Sequence, residues 1–186
     1  GKGHILVVEA DEYDRSFLDM YPSIAVITNI EAEHLDIYKG LSDIKESFIE
    51  FVNRIPFNGM AVLCVDDMAV KQIKNQIKGH VITYGLSLEA DYRAENIRSE
   101  YLHSQFDVIK NDTSLGSVSI PLVGNHNIRN SLAAIAVAIE MNISFPVIQQ
   151  GLNGYKGIKR RFEIVGDVKN ITVADDYAHH PTEIDA

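Results

Sequence analysis

Four carboxylates crowd into six residues near the start of the chain: Glu9, Asp11, Glu12 and Asp14. A second group, Glu31, Glu33, His34 and Asp36, adds an imidazole to three acids. Charges of one sign this close repel unless solvent spreads them or a cation binds. Carboxylates beside a neutral imidazole suit a divalent cation, and such a cation suits the handling of phosphate groups. A solvated acidic loop is the competing reading of each group. Position weighs against it, because each group follows an apolar run, Ile5-Leu6-Val7-Val8 before the first and Ile24-Ala25-Val26-Ile27 before the second. Open parallel sheets keep their ligand sites at the carboxyl ends of their strands. Glu9, nearest a strand end, and His34 are therefore the metal candidates. Asp11, Asp14 and Asp36 read as braces of their loops.

Three further constellations lie downstream. Gly124-Asn125-His126-Asn127-Ile128-Arg129-Asn130 stands at a helix start, and Asn127 and Asn130, three apart, share a helix face. Their amides offer donor and acceptor together, as an adenine edge requires, although Asn127 could serve simply as an N-cap. Lys159-Arg160-Arg161-Phe162 is a local positive cluster in an acidic chain. Arginine forks match phosphate oxygens, and a solvated basic turn is the alternative. Finally, Asp175-Asp176-Tyr177-Ala178-His179-His180-Pro181 follows an apolar stretch; an acid there can accept ribose hydroxyls, and tandem histidines weakly suggest metal.

The elements that must position these groups can be read from periodicity. Residues 4–9, 24–30, 60–65 and 80–84 read as strands, the first two buried. Apolar residues at 41, 44, 48, 51 and 52 predict a helix over 41–52 with Ser42 available as its cap. A second helix is expected over 67–77. Strand and helix thus alternate in the first half, the pattern of a mostly parallel sheet with covering helices. From Asp91 to Leu122 short alternating stretches and turn signals predict a small antiparallel set. Helices are expected over 127–141 and 145–152, then a hairpin pairing 162–165 with 171–174. The fold class is α/β: a mostly parallel sheet flanked by helices, with an antiparallel subsheet.

Bulk properties narrow the function. The formal net charge is −9, which argues against broad electrostatic binding to nucleic acid or an anionic membrane. Any anionic ligand needs local arginine, lysine, helix N-termini or metal. Cys64 is the only cysteine and lies within an apolar run, so it reads as a buried, inert thiol. No apolar run approaches the ~20 residues that span a bilayer, and no signal peptide is evident, so cytoplasm is the expected location. The ends look cut from a longer protein.

Taken in order, Glu-Ala-Asp-Glu-Tyr-Asp (9–14), Thr-Asn-Ile-Glu-Ala-Glu-His-Leu-Asp (28–36), Gly-Asn-His-Asn-Ile-Arg-Asn (124–130), Gly-Ile-Lys-Arg-Arg-Phe (157–162) and Asp-Asp-Tyr-Ala-His-His-Pro-Thr-Glu (175–183) resemble the Mur ligase family, the ATP-dependent amide-forming enzymes of peptidoglycan precursor synthesis. The resemblance covers nearly the whole chain and is nearest the alanine-adding branch. It implies a P-loop-NTPase-like central domain over 1–162 and the start of a C-terminal ligase domain over 163–186. It implies ATP and Mg2+ as cofactors, and UDP-N-acetylmuramate and L-alanine as substrates joined through an acyl phosphate. By the same resemblance, Glu9 and His34 hold magnesium, Asn127 and Asn130 with His126 face adenine, Arg161 reaches the phosphates, and Asp176 holds ribose. Tyr177, His179 and His180 lie where the C-terminal domain begins.

The chain departs from the family pattern in places. The phosphate loop ending in Gly-Lys-Thr is not among its 186 residues, and Gly1-Lys2-Gly3 lacks that loop's spacing and hydroxyl. These residues alone are therefore expected to be inactive. Sister ligases carry a carbamylated lysine near the place of Phe48, with Lys45 about a turn earlier; the alanine-adding branch is expected to lack it. Glu33 stands where Asp is commoner, and Ala178 where Gly is commoner. A branch that attaches an intact tripeptide to the same sugar nucleotide, and a nucleotide- or metal-binding module without ligase activity, are the alternatives.

Overall fold

The structure is a computed structural model that describes residues 3–169, 171–179 and 184. Two compact units divide the chain, Gly1–Tyr84 and Gly85–Ala186. The first is built on three parallel strands in chain order, β1 (Ile24–Ile27), β2 (Met60–Cys64) and β3 (His80–Gly85). Ile24 pairs with Met60 and Met60 with His80, so the three strands start level. β2 is bonded on both sides and all five of its residues are buried, which is why Met-Ala-Val-Leu-Cys reads as an unbroken apolar run. Cys64 is buried, as its apolar surroundings predict, and as the sole cysteine it forms no internal disulfide.

Parallel neighbours need a crossover, and helices supply both. Helix α1 (Leu41–Val52) joins β1 to β2 and buries Ile44, Ser47, Phe51 and Val52. Its limits match the periodicity, but its cap does not. Gly40, with φ 139°, occupies the N-cap, and Ser42 lies inside the first turn. Asp43 does the work expected of a capping group by accepting the Lys39 N–H at 3.0 Å, an N-terminal position that also suits its charge. Helix α2 (Met68–Ile73) joins β2 to β3 and is capped by Asp67, whose Oδ1 accepts the Val70 N–H at 2.8 Å. A 3-10 turn, Lys74–Gln76, completes the predicted 67–77 segment. One core holds the unit together, with Phe17, Ile27, Ile44, Phe51, Val52, Leu63, Val70 and Ile73 among its buried members.

The expected strand over 4–9 is not formed. Ile5, Leu6, Val7 and Val8 are 63, 86, 90 and 55% exposed. Apolar composition states what a segment would tolerate; a strand also needs a ladder partner, and this stretch has none among the described residues. It runs without regular structure through a turn into a 3-10 helix at Ser16–Asp19.

The second unit carries the predicted antiparallel set as a meander, β4 (Tyr92–Glu100), β5 (His103–Lys110) and β6 (Thr113–Ile120). Helix α3 (Asn125–Glu140) packs on β4, and α4 (Phe145–Asn153) on β6 and α3. Ile128, Leu132, Ile135 and Ala136 of α3 and Tyr92, Phe106, Val108 and Ile120 of the meander are all buried. Tyr92 ends in a half-buried network: its hydroxyl donates to Glu140 at 2.7 Å, where Lys110 also binds at 2.8 Å. Burial, with Glu140 beside it, pushes the Tyr92 phenol up to about 12. The hairpin follows as β7 (Glu163–Val168) and β8 (Ile171–Asp175).

Two glycines give opposite signs when a methyl is added. At Gly59 a Cβ would run into the Ser23 carbonyl oxygen and Ile55 Cγ2, and backbone cannot yield. Gly151 lies within α4 with nothing within 4 Å. Urea unfolding should show Gly59→Ala losing about 1–3 kcal/mol and Gly151→Ala gaining about 0.5–1 kcal/mol. The same sign for both substitutions would contradict this packing.

Candidate functional site

The first unit gathers its chemistry where β1 ends. Beyond Ile27 the chain leaves the ladder and turns at His34, whose φ of 53° is left-handed. Histidine is enriched in that region, and its carbonyl is repaid by two donors, the N–H groups of Ile37 and Tyr38, each at 2.9 Å. The imidazole faces two acids: Nε2 is 3.9 Å from Glu12 Oε1 and 3.8 Å from Glu33 Oε2. Ligand atoms of Glu12, Glu33 and His34 all lie within 4.8 Å of one another, and all three residues are half-buried. The Tyr13 ring meets the imidazole edge-on, with centroids 5.0 Å apart.

This donor set fits a divalent cation. Bonds of ~2.1 Å put neighbouring ligands about 3 Å apart and opposite ones about 4 Å apart, and the two gaps to His34 Nε2, 3.9 and 3.8 Å, fall in that range. Two carboxylates supply hard oxygen donors, and the imidazole is a common third ligand. Glu9, to which the sequence pointed, is exposed and outside the three-residue cluster. Glu12 and Glu33 lie in the acidic groups read from the sequence, but nearness to a strand end favoured Glu9. The signal for Glu12 was its own turn. Asp11 accepts the Tyr13 N–H and Asp14 the Ser16 N–H, each at 2.9 Å, so the two aspartates fold the segment around Glu12. The Ser16 hydroxyl and N–H hold Asp14 below the usual carboxylate range. Phe48 is a core residue, its ring 5.4 Å from that of Phe17, and Lys45 reaches Gln72 instead.

The second unit gathers the other predicted residues. Gly124, with φ 94°, opens α3, and His126 folds back over it so closely that a Cβ there would lie 2.7 Å from the imidazole Cε1. Asn127 is inside the helix and does not cap it; its amide donates to the Val123 carbonyl at 2.8 Å, leaving the side-chain oxygen for another partner. Asn130 is exposed one turn on. His126 feels Arg129, Asp176 and Arg161, so these four groups share one electrostatic neighbourhood. The 160–162 turn and the 175–178 segment are knotted together. Asp176 accepts the Phe162 N–H at 2.8 Å and the Ala178 N–H at 2.7 Å, while the Arg160 carbonyl accepts the Tyr177 N–H at 2.7 Å. Arg160 lies over the Tyr177 ring at 4.5 Å, and that ring meets His179 at 5.2 Å. These bonds hold Arg160 and Phe162 at φ of 61° and 48°, an unusual conformation for an aromatic residue. His180 lies outside the described residues.

On this α/β fold, an acid-and-imidazole cluster lies beyond a parallel strand in the first unit, and an arginine, histidine and amide group stands at a helix start in the second. Residues 2–138 match the family model of the Mur ligase middle domain, and the chain belongs to the Mur ligase family. It is 50% identical over its whole length to the UDP-N-acetylmuramate–L-alanine ligases of Salinibacter ruber and Syntrophus aciditrophicus, covering 39% of each. The chain thus spans about two fifths of the length of the curated relatives it matches. Among solved structures it is similar to the UDP-N-acetylmuramate–alanine ligase of Thermotoga maritima, with a TM-score of 0.81 and 26% identity over 94% of this chain and 39% of that one.

Burial, with Arg129 and Arg161 adding to it against the opposing pull of Asp176, holds the His126 imidazole below its ordinary value of 6.5. The unfolded chain therefore takes up this proton at higher pH than the folded one. Stability is intact above the unfolded value and falls as pH drops from there to the depressed folded value. His126→Gln removes that titration. In urea unfolding from about pH 7.5 to about pH 5, wild type should lose more stability than the variant. Equal losses would show that His126 does not carry this linkage.

Proposed function

We propose that this chain is the ATP-handling portion of a cytoplasmic ligase that joins L-alanine to UDP-N-acetylmuramate. Identity of 50% along the entire chain to ligases of that name carries the reading. The solved structures by themselves do not separate it from the tripeptide reading, being about as similar in sequence for either. The UDP-N-acetylmuramate:L-alanyl-gamma-D-glutamyl-meso-diaminopimelate ligase of Neisseria is 27% identical, with a TM-score of 0.71 over 82% of this chain and 48% of that one.

In the proposed chemistry a substrate carboxylate takes the γ-phosphoryl group of ATP, ADP leaves, and the amine nitrogen attacks the acyl phosphate, forming the amide and releasing phosphate. His34 with Glu12 and Glu33 would hold magnesium, and Glu9, on the same acidic stretch, is the further carboxylate assigned to it by resemblance. Magnesium, when bound, neutralises charge on the phosphates. Asn127 and Asn130 offer amides to the adenine edge beside a neutral His126. Asp176 retains lone pairs for ribose hydroxyls after its two backbone bonds. Arg161 presents a guanidinium to phosphate. Residues 1–162 form the ATPase portion and 163–186 begin the ligase domain.

The whole enzyme carrying these residues should release ADP when given ATP, UDP-N-acetylmuramate and L-alanine, and not when the tripeptide replaces alanine; the reverse preference would favour the tripeptide branch. His34→Ala should cut that turnover at least about a hundredfold, the scale of losing ~3 kcal/mol of charge stabilisation. The 186 residues alone, which carry no Gly-Lys-Thr loop, should give no amide product by mass spectrometry.

A further inference from the structure

Tyr38 is an aromatic residue in a polar loop, and it is only 2% exposed. A buried phenol needs a hydrogen-bond partner, and this one reaches across the unit to find it. Its hydroxyl donates to the Glu12 carbonyl at 2.6 Å, while its own N–H donates to the His34 carbonyl at 2.9 Å. One residue thus bonds to the backbones of two members of the acid–imidazole cluster. Glu12 and His34 come from separate loops, and neither lies in a strand or helix.

The rest of the loop stiffens this bridge. The Arg15 guanidinium lies over the Tyr38 ring, 4.5 Å from its centroid. Arg15 is itself held by Asp43 at 2.7 Å and Ser47 at 3.3 Å, both on α1. Asp43 lies below the usual carboxylate range because the Lys39 N–H and Arg15 bind it, so the pair stays charged at neutral pH. The Glu12 carbonyl also takes the Arg15 N–H at 3.1 Å, which spends its second lone pair. A rigid helix therefore fixes the arginine, the arginine fixes the ring, and the ring fixes both turns.

We propose that Tyr38 is a positioning residue that sets the gap between Glu12 and His34 and thereby the affinity of their cluster for a divalent cation. The proposal rests on the cation reading given above. Loss of the hydroxyl leaves the ring in place but removes one of the two hydrogen bonds on the Glu12 carbonyl, the one that ties it to the loop of His34, and neighbours that orient metal ligands typically carry 10–100-fold in affinity.

Manganese alone is the probe, with free Mn2+ read by electron paramagnetic resonance in the intact chain. Tyr38→Phe should bind it about tenfold or more weakly. Tyr84→Phe is the control, since its hydroxyl donates to the Ile27 carbonyl at 3.4 Å and lies outside the cluster; it should bind as wild type does. In the metal-free chain the His34 ring-proton resonance, set by the Tyr13 edge, should shift in Tyr38→Phe and not in Tyr84→Phe. If His34→Ala abolishes binding while Tyr38→Phe stays within about twofold of wild type, the tether is wrong and the cation site stands. If His34→Ala binds normally, the cation reading falls and the proposal falls with it. Should Tyr38→Phe fail to fold, Asp43→Asn loosens Arg15 and leaves the phenol in place. Several-fold weaker binding there supports the tether, and unchanged binding overturns it.

Discussion

Everything in the first unit depends on β2 being bonded on both sides and buried along its whole length. A strand so placed must commit every backbone donor and acceptor to a ladder and every side chain to the core. Val62 and Leu63 are wholly buried, and truncating such a residue costs about 2–5 kcal/mol. No polar chemistry is possible inside that layer. It is displaced to where the chain leaves the ladder, and the His34 turn beyond Ile27 is such a place. The same logic explains why the loops of this unit need side-chain braces: off the ladder, Asp11, Asp14, Asp43 and Tyr38 bond the backbone that the sheet does not hold.

Patterns that depend on one element were legible in the sequence. The limits of α1 follow from its apolar spacing, and β2 from its uninterrupted apolar run. Alternation and turn signals were enough for the β4–β6 meander. What failed depended on a partner. Residues 4–9 have strand composition, but composition cannot supply a neighbouring strand. Ser42 is a good capping residue, yet Gly40 starts the helix because Asp43 reaches back to Lys39 and Arg15 in the same bond network. Glu9 was chosen by its nearness to a strand end, a criterion that could not show that the fold also ties Glu12 to the loop of His34 through Tyr38, across 26 positions.

The second unit concentrates positive charge locally in a chain of net charge −9. Ionic screening confines charge effects to ~8–10 Å, so local composition outweighs the total. Arg129 and Arg161 are felt at His126 together with one acid, Asp176. That acid is also the clasp on the Phe162 N–H. Any ligand hydroxyl that bonds Asp176 must share it with the backbone turn carrying Arg161, so binding at the acid and placement of the arginine are coupled by construction. The strained φ values at Arg160 and Phe162 are the cost of that coupling, on the scale of 1–3 kcal/mol each.

The two clusters differ in the charge they suit. Acids and an imidazole in the first unit suit a cation; arginines, amides and a neutral histidine in the second suit a nucleoside and its phosphates. Neither cluster is sufficient for phosphoryl transfer, which needs both charge neutralisation and a fixed phosphate. In this chain, which spans about two fifths of the length of its curated relatives, each cluster is suited to one of those needs and not to the other. A binding contact is local to its side chain, whereas transfer requires every group around one phosphorus at once.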